Sequence, residues 1–372
     1  LPPSPFPSVS GMPPNIALAV ASHNHGMKLP EGGQQRQGAD AEADGSPLSA
    51  LERVCSVETV QLATAASGRT GADIFTGVTA AEGAFSPRVF GGQLCAQALV
   101  AAARTLPPAN GGGARRCHSM HSYFLSAGDV SEPFVFTVER LRDGGSFSQR
   151  QVVARQRGEA VFTMTASYQS EATWNTPRAL RYQLAAPEGV PPPESLPTQQ
   201  QTWEGMLADS RLDESARESV RRRYEALPPF PLDIRFVKPI QRLAEMEPRE
   251  PTQFAWVRMP ESFMGDGREE LHEAVVAYAS DWGLLETCCL PHGMNLSQRR
   301  IRLASLDHTI YFHHPVSPCE WLLYHMQGTS SSGERGLAQG FIYSRDGQLK
   351  VSVFQEGLMR VVERHSAPRS KL

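Results

Sequence analysis

One succession of sequence patterns occurs twice in this chain, and it constrains the fold more than any other feature. In each half, an apolar helix precedes several segments in which apolar and polar residues alternate, the pattern of half-buried strands. The predicted helices cover residues 91–105 and 269–285. Both are apolar on nearly all sides, which is typical of a helix wrapped by a sheet. The chain is therefore predicted to be a diverged duplication of one α+β domain.

The predicted strands occur in similar order in the two halves. In the first half they follow the helix at residues 119–125, 134–141, 148–155 and 160–169; in the second they cover 234–237 and 254–259 before the helix, and 304–312, 321–328, 336–343 and 349–355 after it. Asp346-Gly347 predicts a tight hairpin between the last two.

The register of the repeat has two solutions. The pairs Ser119/Gln169 and Ser305/Gln355 are each 50 residues apart, which supports one alignment of the halves. Matching Tyr123-Phe124 with the Tyr-Phe pair at 311–312 shifts that alignment by two residues.

Prolines at 177, 187, 191–193 and 197 interrupt any regular element between the halves. We predict five segments: a flexible leader (1–47), an N-terminal domain (48–170), a proline-rich linker with a short exposed helix near 212–224 (171–227), a C-terminal domain (228–364) and a tail (365–372).

Composition excludes several classes of partner. The 36 basic and 39 acidic residues, with a net charge of -3, form no cationic excess of the kind that nucleic acid requires. No apolar run approaches the roughly 20 residues that cross a bilayer. The six cysteines form no CxxC pair, so we expect a reducing compartment and no metal site.

The final tripeptide, Ser370-Lys371-Leu372, matches the signal that a peroxisomal import receptor reads. It follows a polar segment that would leave it accessible. The prediction is import into the peroxisomal matrix.

Three polar residues in apolar surroundings are candidate catalytic groups. Asp281 lies beside the apolar stripe of the second helix, where a buried carboxylate needs hydrogen-bond partners or a ligand. Strand alternation turns Gln355 toward the interior, and Ser305 begins the strand after the helix. An acid, a hydroxyl and an amide can hold a water molecule, with Asp281 as general base. A structural role for each residue stays open at this point.

Gly91-Gly92-Gln93 begins the first helix. Exposed amides at a helix N-terminus stabilise an oxyanion, so these residues are candidate substrate contacts; tight packing of the glycines is the other interpretation. Arg88, Arg302 and Arg335 are candidate contacts to phosphate groups of a substrate.

The chain resembles the type II acyl-CoA thioesterases, a tandem-hotdog family with bacterial and peroxisomal members. The matching motifs include Arg88-Val-Phe-Gly-Gly-Gln93, Tyr278-Ala-Ser-Asp281, Ala304-Ser-Leu-Asp-His308, Glu320-Trp-Leu-Leu-Tyr324 and Val353-Phe-Gln-Glu-Gly357. They span both halves in order. The leader, the long linker and a glycine insertion at 111–113 depart from the family pattern.

This resemblance implies a double hotdog, in which two antiparallel sheets each wrap around a central helix and join edge to edge. It also implies hydrolysis of fatty acyl-CoA to a free fatty acid and CoA without metal or organic cofactor. The family's water-binding acid, hydroxyl and amide fall on Asp281, Ser305 and Gln355. Self-association into a homo-oligomer is a further expectation.

Three other functions fit parts of the sequence. Ser305, Asp307 and His308 suggest a serine hydrolase, but no GxSxG elbow occurs. A double-hotdog enoyl-CoA hydratase would resemble this chain in architecture but has a His a few residues from the helix acid, and none of the five residues after Asp281 is a His. A non-catalytic acyl-CoA carrier would bind substrate without releasing thiol.

Overall fold

The structure is a computed structural model. It describes residues 51, 54–61, 72–79, 88–108, 113–174, 176–177, 179–210, 212, 214, 217–218, 221–222, 232–239, 247–259, 271–294 and 301–362. The predicted leader and the tail with its import tripeptide lie outside these residues.

Each half of the chain contributes one helix and a set of strands. The first half contains β1 (Glu58–Gln61), β2 (Asp73–Gly77), α1 (Gly91–Ala103), β3 (Arg115–Phe124), β4 (Phe134–Asp143), β5 (Phe147–Gln156) and β6 (Glu159–Ser170). Strands β1 and β2, of four and five residues, were not predicted from the sequence. The short helices α2 (Glu171–Trp174) and α3 (Gln199–Leu207) follow.

The second half repeats this order. It contains β7 (Asp233–Phe236), β8 (Thr252–Arg258), α4 (His272–Ser280), a 3-10 segment (Leu285–His292), β9 (Ile301–Ser305), β10 (Asp307–Phe312), β11 (Leu322–Ser332), β12 (Arg335–Ser344) and β13 (Leu349–Val361). The predicted hairpin at Asp346-Gly347 is confirmed: Gly347 has a φ of 84° between β12 and β13.

The described strands form one antiparallel sheet in the order β1-β2-β4-β5-β6-β3-β10-β13-β12-β11-β8-β7, and β9 also pairs with β13. Strand order within each half is the same, read from the outer edge to the centre. The halves meet where β3 pairs with β10. This pairing satisfies the backbone groups that would otherwise be exposed on two edge strands. The predicted double hotdog, with its halves joined edge to edge, is confirmed.

The strand predicted at 304–312 is divided in two. Leu306 separates β9 from β10, and its N–H donates to the carbonyl of Glu356 at 2.9 Å. Its own carbonyl accepts from the N–H of Phe124, on the first half, at 2.9 Å. The break therefore lies at the junction of the halves, beside Ser305.

The structure also decides the register of the repeat. Gln169 lies between inward-facing neighbours and points to the outer face, whereas the Gln355 side chain is fully buried, so matching these two residues is wrong. The second alignment matches Phe124 with Phe312 and places inward-facing residues of one half on inward-facing residues of the other. Strand β3 pairs with β6 as β10 pairs with β13, so the same alignment matches Ala166 on β6 with Gln355 on β13. The first half thus has a methyl group where the second has an amide.

Both long helices lie inside the sheet. Residues 92–102 of α1 and 274–280 of α4 are buried, as an all-round apolar pattern predicts. The predicted C-terminus at 285 is wrong, because α4 ends at Ser280 and Asp281 is its C-cap. Gly283 follows with a φ of 77°, a left-handed conformation that continues no helix. Within the described residues, no helix is long and apolar enough to cross a bilayer.

The proline-rich segment packs on the outer face of the second half. The indole N–H of Trp256 donates to the carbonyl of Pro191 at 2.8 Å. The hydroxyl of Tyr343 donates to the carbonyl of Ala185 at 3.3 Å. Arg345 forms a bidentate ion pair with Glu194 at 2.8 and 3.0 Å. The described residues of the predicted helix near 212–224 are helical from 214 onward. The predicted domain boundaries stay predictions.

Candidate active site

The start of α1 and the end of α4 touch at two adjacent glycines. A Cβ added at Gly92 would lie 2.4 Å from the carbonyl oxygen of Tyr278, so only glycine permits this approach. The ring of Phe90 packs edge-on against Tyr278, with centroids 5.2 Å apart, and against Trp282 at 5.7 Å. The alternative interpretation of these glycines was tight packing of the helix against the sheet; the close approach exists, but its partner is α4.

The carboxylate of Asp281 lies in this contact. Its Oδ2 accepts a hydrogen bond from the backbone N–H of Gly92 at 2.9 Å, and its Oδ1 accepts from Nε2 of Gln355 at 2.5 Å. A carboxylate at a helix C-terminus faces the negative end of that helix dipole. Here the positive end of α1 offsets this, because Gly92 belongs to its first turn.

Gln355 connects the carboxylate to the third predicted residue. Its side chain is fully buried on β13, and Nε2 donates a second bond to Oγ of Ser305 at 2.9 Å. Ser305 ends β9 and pairs with Gly357. A Cβ at Gly357 would lie 2.2 Å from the side chain of Leu285, so glycine keeps β9 in place. The structure therefore brings Asp281, Ser305 and Gln355 into one hydrogen-bonded group.

One acceptor in this group has no protein partner. Oε1 of Gln355 is buried without a hydrogen bond from any described residue. Both hydrogens of Nε2 are used by Asp281 and Ser305. A buried polar atom of this kind is ordinarily satisfied by water or a ligand.

Neighbouring titratable groups are held neutral by burial. Burial, with a smaller contribution from Asp281, raises the pKa of the Cys95 thiol on α1. Burial likewise raises the pKa of Tyr324, and it lowers the pKa of His308 although Asp281 opposes that shift. Burial therefore favours the neutral forms of Cys95, Tyr324 and His308 near Asp281.

The serine-hydrolase alternative fails on geometry. His308 bonds through Nε2 to Oγ of Ser280 at 2.8 Å. Asp307 accepts from the N–H of Glu356 at 2.6 Å. Since Ser305 accepts from Gln355, these three neighbours in sequence form no triad.

The other predicted contacts are dispersed. Gln93 is fully buried and donates to the carbonyl of Val78 at 2.7 Å, so it does not face the carboxylate. Arg88 is exposed just before α1, and its backbone pairs with that of Asp129 in an isolated β-bridge. Arg335 is exposed at the start of β12 and forms an ion pair at 2.8 Å with Glu356, the neighbour of Gln355.

An apolar cavity borders the buried side of α4. Its lining comes from that helix, from β8, β11 and β12, from the residue before β7 and from the loop before β11: Leu232, Val257, Val275, Val276, Ala279, Pro318, Leu322, Tyr324 and Ile342. Asp281 is not among these residues.

The contact of Asp281 with the first half was not predicted from the sequence. Gly91, Gly92 and Gln93 were predicted to contact the substrate, whereas Gly92 holds Asp281. His308 was predicted only as part of a triad. The period-two pattern of His308, Ile310 and Phe312 could have placed that imidazole inside.

Two family models match the chain, one in each half. Residues 241–358 match the acyl-CoA thioesterase model, and residues 81–169 match the model of the acyl-CoA thioesterase N-terminal domain. Acyl-coenzyme A thioesterase 8 of Mus musculus is 38% identical over 277 residues, which cover 74% of this chain and 81% of the mouse protein. The chain belongs to the acyl-CoA thioesterase family. The predicted enzyme class is thereby confirmed.

Other members of this thioesterase family extend the comparison. The peroxisomal acyl-coenzyme A thioester hydrolase 1 of Saccharomyces cerevisiae is 26% identical over 311 residues, covering 73% of this chain and 86% of the yeast protein. The crystal structure of acyl-CoA thioesterase II TesB2 from Mycobacterium marinum superposes with a TM-score of 0.61 at 32% identity. It covers 84% of this chain and 99% of that one.

Proposed function

We propose that this thioesterase hydrolyses fatty acyl-CoA to a free fatty acid and CoA, using a water molecule activated by Asp281. The observation that carries the proposal is one hydrogen-bonded group. In it the Asp281 carboxylate accepts hydrogen bonds from Gly92 and Gln355, and Gln355 also donates to Ser305. The names of the mouse and mycobacterial relatives support the substrate class.

The donors and acceptors of the group suit a bound water. Each oxygen of Asp281 accepts one protein hydrogen bond and keeps a lone pair for a hydrogen of water. Ser305 accepts from Gln355, so its own proton is available to the oxygen of that water. Oε1 of Gln355 is a further buried acceptor beside it.

In the reaction, the water oxygen attacks the thioester carbonyl carbon while Asp281 accepts one of its protons. The tetrahedral intermediate then breaks its carbon–sulfur bond. The thiolate of CoA leaves with the electron pair and receives the proton from Asp281. General base catalysis of this kind contributes about 10²–10⁴-fold.

We assign stabilisation of the oxyanion to the N-terminus of α1. The N–H of Gly92 is engaged by Asp281, which leaves the N–H of Gly91 as the other glycine amide at the start of α1. A Cβ at Gly91 would lie 2.8 Å from Oδ2 of Asp281 and 2.9 Å from the ring of Phe124. A glycine at this position lets a carbonyl group approach both the helix end and the carboxylate.

The rest of the substrate needs apolar and cationic contacts. The apolar cavity beside α4 has room for about one water molecule and is not lined by Asp281, so it is not assigned to the acyl chain. Arg88 and Arg335 are exposed and stay candidate contacts to the CoA phosphates.

Thiol release from acyl-CoAs of short to very long chain, followed with a thiol reagent on the purified protein, tests this function. Release of CoA with equal amounts of free fatty acid is expected. Binding of acyl-CoA without thiol release would refute hydrolysis and favour the carrier alternative.

We also propose a peroxisomal location, supported by Ser370-Lys371-Leu372 and by the name of the yeast relative. A fluorescent fusion with the tripeptide exposed should colocalise with a peroxisomal marker, and deleting residues 370–372 should abolish this. A cytosolic distribution of both forms would contradict the proposal.

A further inference from the structure

The last turn of α4 is held by hydrogen bonds from two strands. Ser280, the final residue of the helix, directly precedes Asp281. Its carbonyl accepts from the hydroxyl of Tyr324 on β11 at 2.6 Å, a contact between residues 44 apart in sequence. This fixes the backbone at the point where the carboxylate leaves the helix.

The side chain of Ser280 is held as well. His308 on β10 is fully buried, and its Nε2 lies 2.8 Å from Oγ of Ser280. That hydroxyl donates its proton to the carbonyl of Ala277 at 2.9 Å. It must therefore accept from His308, which makes the imidazole a neutral Nε2–H donor.

His308 also connects this turn to the first half. Its backbone carbonyl accepts from Oγ of Ser122 on β3 at 2.8 Å. Its Nδ1 is buried without a partner among the described residues. A fully buried imidazole with one unsatisfied nitrogen is costly, and packing alone would be served better by an apolar ring.

We infer that His308 and Tyr324 are positioning residues, which clamp Ser280 from two strands and so hold the Asp281 carboxylate between Gly92 and Gln355. The inference rests on the proposed function. The carboxylate meets donors from two other elements, so a small shift of the α4 terminus lengthens both bonds at once. Misplacement of a reacting group by about 1 Å costs on the order of 100-fold in rate.

The first half offers a control tyrosine of the same kind, although on a strand that is not the equivalent of β11. Tyr168 on β6 and Tyr324 are each 2% exposed, and the hydroxyl of Tyr168 donates to the carbonyl of Leu99 on α1 at 3.2 Å. Tyr168→Phe therefore removes the same kind of buried bond from the half that lacks the acid. It should lower stability while leaving turnover unchanged.

Tyr324→Phe and His308→Phe should each lower kcat for palmitoyl-CoA by about 10- to 100-fold, with KM within about twofold. His308→Gln retains a donor at the reach of Nε2 and should recover most of the lost turnover. Combining His308→Phe with Ser280→Ala should lower kcat no further than the worse single change, because both act through one bond.

The kinetic constants separate positioning from general destabilisation. A merely structural loss lowers the folded fraction in Tyr324→Phe and Tyr168→Phe alike. A positioning loss lowers kcat of the folded enzyme in Tyr324→Phe alone, with KM little changed.

Wild-type kcat in Tyr324→Phe, or equal losses of kcat in Tyr324→Phe and Tyr168→Phe, would overturn the inference. If His308→Phe does not fold, Tyr324→Phe decides, since it removes only one hydroxyl. Failure of the proposed function is a different result: Asp281→Asn would then retain wild-type turnover.

Discussion

Replacing Asp281 by asparagine tests both the base and the geometry around it. Both carboxylate oxygens face donors, the N–H of Gly92 at 2.9 Å and Nε2 of Gln355 at 2.5 Å. An asparagine offers one acceptor and one donor, so one N–H must face a donor unless Gln355 flips. A flipped Gln355 would direct its own NH2 to the buried position that Oε1 now occupies. The amide is thus not a neutral replacement for the acid here.

The magnitude follows from these contacts. One buried donor left unsatisfied costs about 1–3 kcal/mol, which is the expected loss in the free energy of unfolding of Asp281→Asn. Loss of the general base should reduce kcat by about 10²–10⁴-fold. Turnover therefore falls far more than the folded fraction does.

A second substitution separates the two effects. In Asp281→Asn combined with Gln355→Glu, the carboxylate introduced at 355 can accept from the asparagine NH2 and from Ser305, while the asparagine oxygen accepts from Gly92. Every donor is paired again, so stability should return to within about 1 kcal/mol of wild type. Turnover should stay about 100-fold low, because the base is displaced and Ser305 no longer donates to water.

Thiol release from palmitoyl-CoA and urea unfolding, measured on the same preparations of wild type, single and double variants, give the required comparison. Wild-type kcat in Asp281→Asn would refute the assignment of the base. A double variant no more stable than Asp281→Asn would refute the donor and acceptor assignment.

Three further predictions concern the surroundings of this group. In Gly92→Ala the added Cβ would meet the carbonyl of Tyr278, so α1 and α4 must separate. The free energy of unfolding should fall by about 1–3 kcal/mol, and kcat should fall with it. The control Gly205→Ala meets nothing within 4 Å inside α3, so it should leave kcat unchanged and raise stability by up to about 1 kcal/mol. Ser305→Ala should lower kcat about 10- to 100-fold, and it should cost about 1–3 kcal/mol of stability because one buried N–H of Gln355 loses its acceptor. A loss confined to KM in steady-state assays would argue against a role in holding water. Burial raises the pKa of Glu273 from 4.5 to about 7, so the stabilisation linked to its protonated form is complete below 4.5 and lost as pH rises through 7. Glu273→Gln should therefore gain up to about 3 kcal/mol over wild type between pH 5 and pH 8, and parallel stability–pH curves would contradict this.

The asymmetry of the two halves explains why one site is predicted in a duplicated fold. At the position of Gln355 the first half has Ala166, and α1 contains no acidic residue. The first half instead supplies Gly92, whose N–H holds Asp281. Each half therefore contributes a different component, and neither has the complete group.

Much of the fold was readable from local patterns. Period-two alternation located ten of the strand segments, and the all-round apolar helices indicated a wrapping sheet. The same periodicity directed Gln355 inward. These predictions depend only on which face of an element a residue occupies, and that is a property of neighbours in sequence.

The tertiary structure decided what depends on distant elements meeting. Gly92 and Asp281 are 189 residues apart, and their bond exists only because two glycines let α1 approach α4. The break at Leu306, the outward direction of Gln169 and the clamp on Ser280 likewise depend on how the halves pair. Periodicity assigns a side chain to a face, but hydrogen bonds are short and directional, so their partners are determined only when the backbones are in place.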